Sequence, residues 1–189
     1  MKLVVLVGLI ALALILSGCI EPSAICVNGI CETSGNQDTC PEDCQTPSTD
    51  YVGADFSVKY PLNWSKATDT PAGAIFVPED EMSVLMVSKL SGVEGTTAGS
   101  LNELIEQLLS PLKKTGTFSL IEESSNYLNG VAAKDITFSF EEEGELVNTR
   151  IIAAEKNGAF YLLALSGPEQ QFNRDLPLFE ETASSFKFQ

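Results

Sequence analysis

Residues 118–165 read FSLIEESSNYLNGVAAKDITFSFEEEGELVNTRIIAAEKNGAFYLLAL, and their punctuation decides the fold. Four apolar-rich runs, 118–128, 132–140, 146–155 and 160–165, are separated by Asn129-Gly130, Glu141-Glu142-Glu143-Gly144 and Asn157-Gly158. A two-residue Asn-Gly turn needs positive φ at both positions, which these residues supply, so it joins neighbouring antiparallel strands. The run is therefore a four-stranded meander. Ile136, Phe138 and Phe140 fall on one face of the second strand, with Asp135, Thr137 and Ser139 on the other. The last run is apolar on both faces, as expected of a central strand covered on both sides.

Upstream, Phe56-Ser57-Val58-Lys59-Tyr60 alternates like a half-buried strand stopped by Pro61. Residues 74–77 and 82–90 are further strands around a turn at residues 78–81. Ser100 caps a helix, and Glu103 three residues on completes a capping box. Leu101, Leu104, Ile105, Leu108, Leu109 and Leu112 form its apolar stripe, with a kink or early end near Ser110 imposed by Pro111. A second helix follows the meander. Asp175 is its candidate cap, Pro177 lies in its first turn, and Phe172, Leu176, Phe179, Ala183 and Phe186 make its stripe. One helix for each face gives an α+β fold: an antiparallel sheet flanked by helices, an α/β/α sandwich. Trp64, the only Trp, reads as core at the end of the first strand rather than as a ligand platform.

The N-terminus has a different character. Met1-Lys2 precedes a run of apolar residues and Gly from 3 to 16, then Leu16-Ser17-Gly18-Cys19. That run is short for a membrane span of about 20 residues and suits a signal peptide. The ending resembles a lipobox, which implies cleavage before Cys19, a lipid on Cys19 and an extracytoplasmic lipoprotein. An uncleaved anchor helix is the alternative, and it tethers the chain equally. Five cysteines are an odd number for an exported chain. With Cys19 lipidated, Cys26, Cys31, Cys40 and Cys44 remain for two disulfides. Their irregular spacing and oxidising context disfavour zinc. Three pairings are open.

The order of parts is thus a signal peptide at 1–18, a tether at 19–25, a disulfide-rich motif at 26–44, a linker at 45–53 and the sandwich at 54–189. The Cys-rich motif resembles short motifs of secreted and surface-anchored bacterial and archaeal proteins, and distantly calcium-binding Notch-type modules. Asn28, Glu32, Asn36, Asp38, Glu42 and Asp43 are oxygen ligands suited to Ca²⁺, without EF-hand spacing. An acidic staple with no ion is the competing reading, and no other cofactor is expected.

Composition excludes whole classes of function. The 189 residues carry 11 Lys and Arg against 26 Asp and Glu, a net charge of −15. Such a chain has no general affinity for nucleic acid, which requires cations to neutralise phosphates. His is absent, which removes the commonest general base from any Ser-His or Cys-His arrangement. The acidic groups Glu79-Asp80-Glu81, Glu141–Glu143 with Glu145, and Glu180-Glu181 leave carboxylate chemistry formally open, but such neighbours are usually solvated. They also give a field that attracts a basic partner or divalent cations. Asn63-Trp64-Ser65 is a formal glycosylation sequon at Asn63. Lys113-Lys114 suit a helix C-terminus.

Phe56-Ser-Val-Lys-Tyr-Pro-Leu-Asn-Trp64, Asn129-Gly-Val-Ala-Ala133 and Phe179-Glu-Glu-Thr-Ala-Ser-Ser-Phe186 resemble the PsbP-like (PsbP/Mog1) superfamily. The likeness spans about residues 54–188. It rests mostly on packing positions and implies an α/β/α sandwich. Photosystem II extrinsic subunits, a Ran-binding protein and many lipoproteins of unknown role belong to that group, so the resemblance implies a non-catalytic binding or assembly module with a protein partner. The missing His and scarce Lys depart from the photosystem subunits and speak against a photosynthetic role.

Overall fold

The computed structural model describes residues 47–90 and 98–189. All the described elements belong to one compact unit, Thr46–Gln189. They run β1 Ser48–Val52, β2 Phe56–Pro61, β3 Ser65–Thr70, β4 Gly73–Val77, β5 Val84–Leu90, α1 Leu101–Lys113, β6 Ser119–Leu128, β7 Val131–Glu142, β8 Glu145–Lys156, β9 Ala159–Pro168, α2 Glu169–Ser185 and β10 Lys187–Phe188. Neither helix is long and apolar enough to cross a membrane.

Seven strands form one antiparallel sheet in the order β3-β4-β5-β9-β8-β7-β6. The expected meander β6–β9 is one half of it. Its turns have the expected backbone: Asn129 and Gly130 lie at φ 46° and 79°, Asn157 and Gly158 at 55° and 74°. The acidic turn does the same with Glu143 and Gly144 at 53° and 87°. Central β9 is buried along residues 159–165, as its two apolar faces require.

Alternation along β8 and β9 divides the core in two. Leu104, Ile105 and Leu109 of α1 pack with Ile136, Phe138, Ile151, Ala153, Phe160, Leu162 and Ala164. Phe172 and Phe179 of α2 pack with Ile152, Ala154, Tyr161, Leu163 and Leu165. Side chains of opposite parity leave opposite faces of a strand, so the helices cover opposite faces.

The α2 side also carries a second sheet, β1-β2-β10, that periodicity had not separated from the first. Phe56 of β2 is fully buried and stacks on Phe186 with centroids 5.4 Å apart. Tyr60 stacks on Phe76 at 4.0 Å, and Trp64 is buried beside them. Aromatic pairs of this kind contribute about 0.5–1.5 kcal/mol beyond their area.

Four expectations need correction. The linker at 45–53 contains β1, whose Ser48 pairs with Pro61 and whose Tyr51 is buried. Pro61 is the last residue of β2 rather than the first beyond it, because the Leu62 N–H makes the ladder bond to the Pro47 carbonyl and alternation asks none of Pro61 toward β1. α1 continues past Ser110 to Lys113, since Pro111 sits in the last turn, where one missing ladder bond matters least. Asp175 does not cap α2. The helix starts at Glu169 because burying Phe172 on the same stripe as Phe179 draws in the preceding turns. Pro177 is consequently inside the helix, and Asp175 points sideways into the protein.

Candidate functional site

Helix α2 covers β8 and β9 but leaves a groove beside it, over β6 and β7. Glu122, Ser124, Asp135, Thr137, Arg150, Phe172, Leu176 and Glu180 line a volume of about 350 Å³ there. Register places them. Glu122, Thr137 and Arg150 are opposite one another on β6, β7 and β8, and Ser124 is opposite Asp135 in the next row. All five therefore share the α2 face.

Arg150 is the fixed point of the groove. Its Nε donates to Asp135 Oδ1 at 2.9 Å and its Nη2 to Asp135 Oδ2 at 2.8 Å. Its Nη1 donates to Glu180 Oε1 at 2.9 Å. The guanidinium also lies 5.6 Å from the centroid of the Phe179 ring. Hydrogen bonding to Asp135 holds its pKa above the ordinary arginine value; burial opposes this and Glu180 adds to it. Asn126 Nδ2 gives Asp135 a third donor at 2.9 Å. A nearly buried carboxylate thus has its charge matched and its acceptors used, as burial demands. Glu122 makes no ion pair among the described residues. Three carboxylates face one guanidinium, so the groove is net negative. It suits a cationic group better than an anion.

A second cluster is structural. Ser83 Oγ donates to buried Asp175, and Arg174 donates to both Asp175 oxygens at 2.7 and 2.8 Å. Arg174 also reaches Asp80 Oδ2 at 2.6 Å, tying the turn before β5 to α2. Each partner is already committed, so this is a latch and not an open site.

The sequence-derived candidates fare unevenly. Cys19, Cys26, Cys31, Cys40 and Cys44 lie outside the described residues, as do Asn28, Glu32, Asn36, Asp38, Glu42 and Asp43. Asn63 is exposed. The acidic groups stay apart: Asp80 is in the latch, 141–145 form the β7–β8 hairpin end, and Glu180 joins the groove. Among the described residues, no three His, Cys, Asp or Glu side chains are gathered for a metal ion. Lys113 closes α1 and pairs with Glu106 at 3.0 Å. Arg150 stands in no sequence motif of its own. Its signal was the acidic hairpin, whose register sets Glu142 against Glu145 and thereby Arg150 against Thr137, beside Asp135.

Known proteins share this architecture. Cyanobacterial PsbP (CyanoP) from Synechocystis sp. PCC 6803 superposes with a TM-score of 0.56 at 14% identity, over 77% of this chain and 94% of that one. The Ran-binding protein Mog1p of Saccharomyces cerevisiae gives 0.53 at 10% identity, over 76% and 96%. At such identities the likeness is one of fold. No curated protein matches the sequence. The PsbP family model matches residues 49–188, beginning inside β1 and ending in β10. The chain belongs to the PsbP family.

Proposed function

We propose that the chain is a membrane-anchored extracytoplasmic lipoprotein whose PsbP-like domain is a non-catalytic binding or assembly module. The groove beside α2 carries this reading. It is open and net negative, and its one cation is locked by two carboxylates, which is an arrangement for holding a basic surface. Nothing in it pairs a nucleophile with a base, the arrangement that covalent catalysis needs. The Leu16-Ser17-Gly18-Cys19 ending supports the anchor, since a chain this acidic is repelled by anionic headgroups and needs a lipid to stay there.

The anchor is tested by labelling cells with an alkyne fatty acid. The wild-type chain should take up label and sediment with membranes, and Cys19→Ala should do neither. Unlabelled wild-type chain in the soluble fraction would overturn the anchor. The binding role is tested by crosslinking gently solubilised membranes. A stoichiometric protein partner is expected, and a chain that stays alone with its lipid intact contradicts the role.

A further inference from the structure

Strand β6 is an edge of the large sheet. Among the described residues its only strand partner is β7. It is ten residues long and exposed from 119 to 125. A free edge of that length presents a row of N–H and C=O groups to any added strand. The adjoining turn fixes which groups these are. Leu128 and Val131 flank the two-residue turn and face each other in register. Residues closing such a turn share ladder bonds, so alternation directs the backbone groups of Tyr127, Ser125 and Glu123 away from β7.

The two sides of this edge differ in chemistry. Toward α2, Glu122 and Ser124 border the acidic groove. Toward α1, Leu120 and Glu123 border a second hollow of about 240 Å³ with Ile105, Leu109 and Phe118 in its wall. Its charges are already neutralised within the chain, Glu123 by Lys134 at 2.6 Å and Glu106 by Lys113. Leu120, Ile121 and Tyr127 are 49, 58 and 73% exposed. One exposed apolar side chain is ordinary, but three on one edge strand mark a contact surface.

We propose that β6 receives an extended segment of a basic partner protein as an eighth strand of the large sheet. Its cationic residues face the α2 groove and its alternate, apolar residues face the α1 hollow. The period of two along any strand dictates this pattern once the two sides are known. Charge selects the occupant. A second copy carries the same −15 and brings its own Glu122 and Glu123 to the edge, whereas a cationic strand meets Glu122 and the exposed Glu180. The inference rests on the binding-module reading and goes further by naming the surface and the partner's chemistry.

The test uses the full chain in detergent and a labelled eight-residue peptide of alternating Lys and Val, followed by fluorescence anisotropy. Saturable binding is expected, with an alternating Glu and Val peptide inert. Two further peptides carry N-methyl groups on all Lys or on all Val residues. A strand pairs through one edge, so one methylated peptide should bind and the other should not. Glu122→Lys should weaken binding about five-fold. Ser125→Pro should abolish it while keeping the thermal midpoint, because the N–H it removes points outward. Equal binding by both methylated peptides overturns the proposal, as does binding of the Glu peptide or no binding of the Lys peptide. A dimer of the chain that Ser125→Pro dissolves overturns it in favour of a second copy. Native crosslinks confined to the β3 edge, with no peptide bound, remove strand addition and leave the binding role standing.

Discussion

Arg150 on β8 grips Asp135 on β7 through both carboxylate oxygens, and only then extends its remaining arm to Glu180 on α2. The two contacts differ in exposure. The Asp135 side chain is 8% exposed and that of Glu180 is 58%. Asp135→Ala leaves a guanidinium with one solvated partner, so urea unfolding should show a loss of about 2 kcal/mol, below the fully buried case because Arg150 keeps some water. Glu180→Gln should cost about 0.5 kcal/mol. Equal losses would mean that burial does not set the hierarchy.

The domain begins at β1 rather than at residue 54. Tyr51 is buried, with its ring 5.7 Å from Phe56 and 5.9 Å from Phe76, and its hydroxyl donates to the Thr70 carbonyl. A fragment of residues 46–189 should unfold cooperatively in denaturant. One of residues 54–189 should lose at least about 3 kcal/mol, the usual cost of deleting a buried aromatic. Matching midpoints would show that β1 is an appendage.

Two glycines should respond differently to alanine. A Cβ at Gly73 would fall 2.4 Å from the Val87 carbonyl oxygen and 2.8 Å from Ser88 Cα, so β4 and β5 would have to part. Gly73→Ala should cost about 2 kcal/mol or more by denaturant titration. Gly130 has open space but sits at φ 79°, so Gly130→Ala should cost about 1 kcal/mol, from backbone strain alone.

Acid and alkali should act on different groups. The Arg174 hydrogen bond, helped by the Met82 N–H, holds the Asp80 carboxyl below its ordinary value of 3.8. A depressed pKa contributes stability that is present above the ordinary value and lost as pH falls through the folded one. Asp80→Asn should therefore lose stability less steeply than wild type below pH 3.8. Burial, with Asp69 adding to it, raises Tyr51 above 10.0. Its contribution is present below that value and lost as pH rises through the folded one, so Tyr51→Phe should flatten the alkaline limb. Thermal midpoints across pH check both; parallel curves for wild type and variants would contradict them.

Local chemistry made the meander and α1 legible. Asn129-Gly130 and Asn157-Gly158 specify turns whatever surrounds them, and Ser100 accepts from the Glu103 N–H as the capping pattern foretold. Elements held mainly by pairing with a neighbouring strand were not visible. Every residue of β3 is exposed, and β1 buries only Tyr51, so neither shows an apolar period. α2 lacks a side-chain cap, which made Asp175 look like one. The groove was hidden for a related reason. Glu122, Asp135, Arg150 and Glu180 are each ordinary polar positions, and only the register of three strands and the placement of α2 bring them together.

In the proposed arrangement, the face bordered by β6 holds the partner of this protein. A photoreactive phenylalanine derivative at Tyr127, compared with one at Lys66 on the opposite edge strand, tests it in native membranes. One discrete protein adduct is expected from position 127, suppressed by the alternating Lys and Val peptide, and none from position 66. Adducts from position 66 alone, or an adduct at 127 that the peptide does not touch, would contradict it.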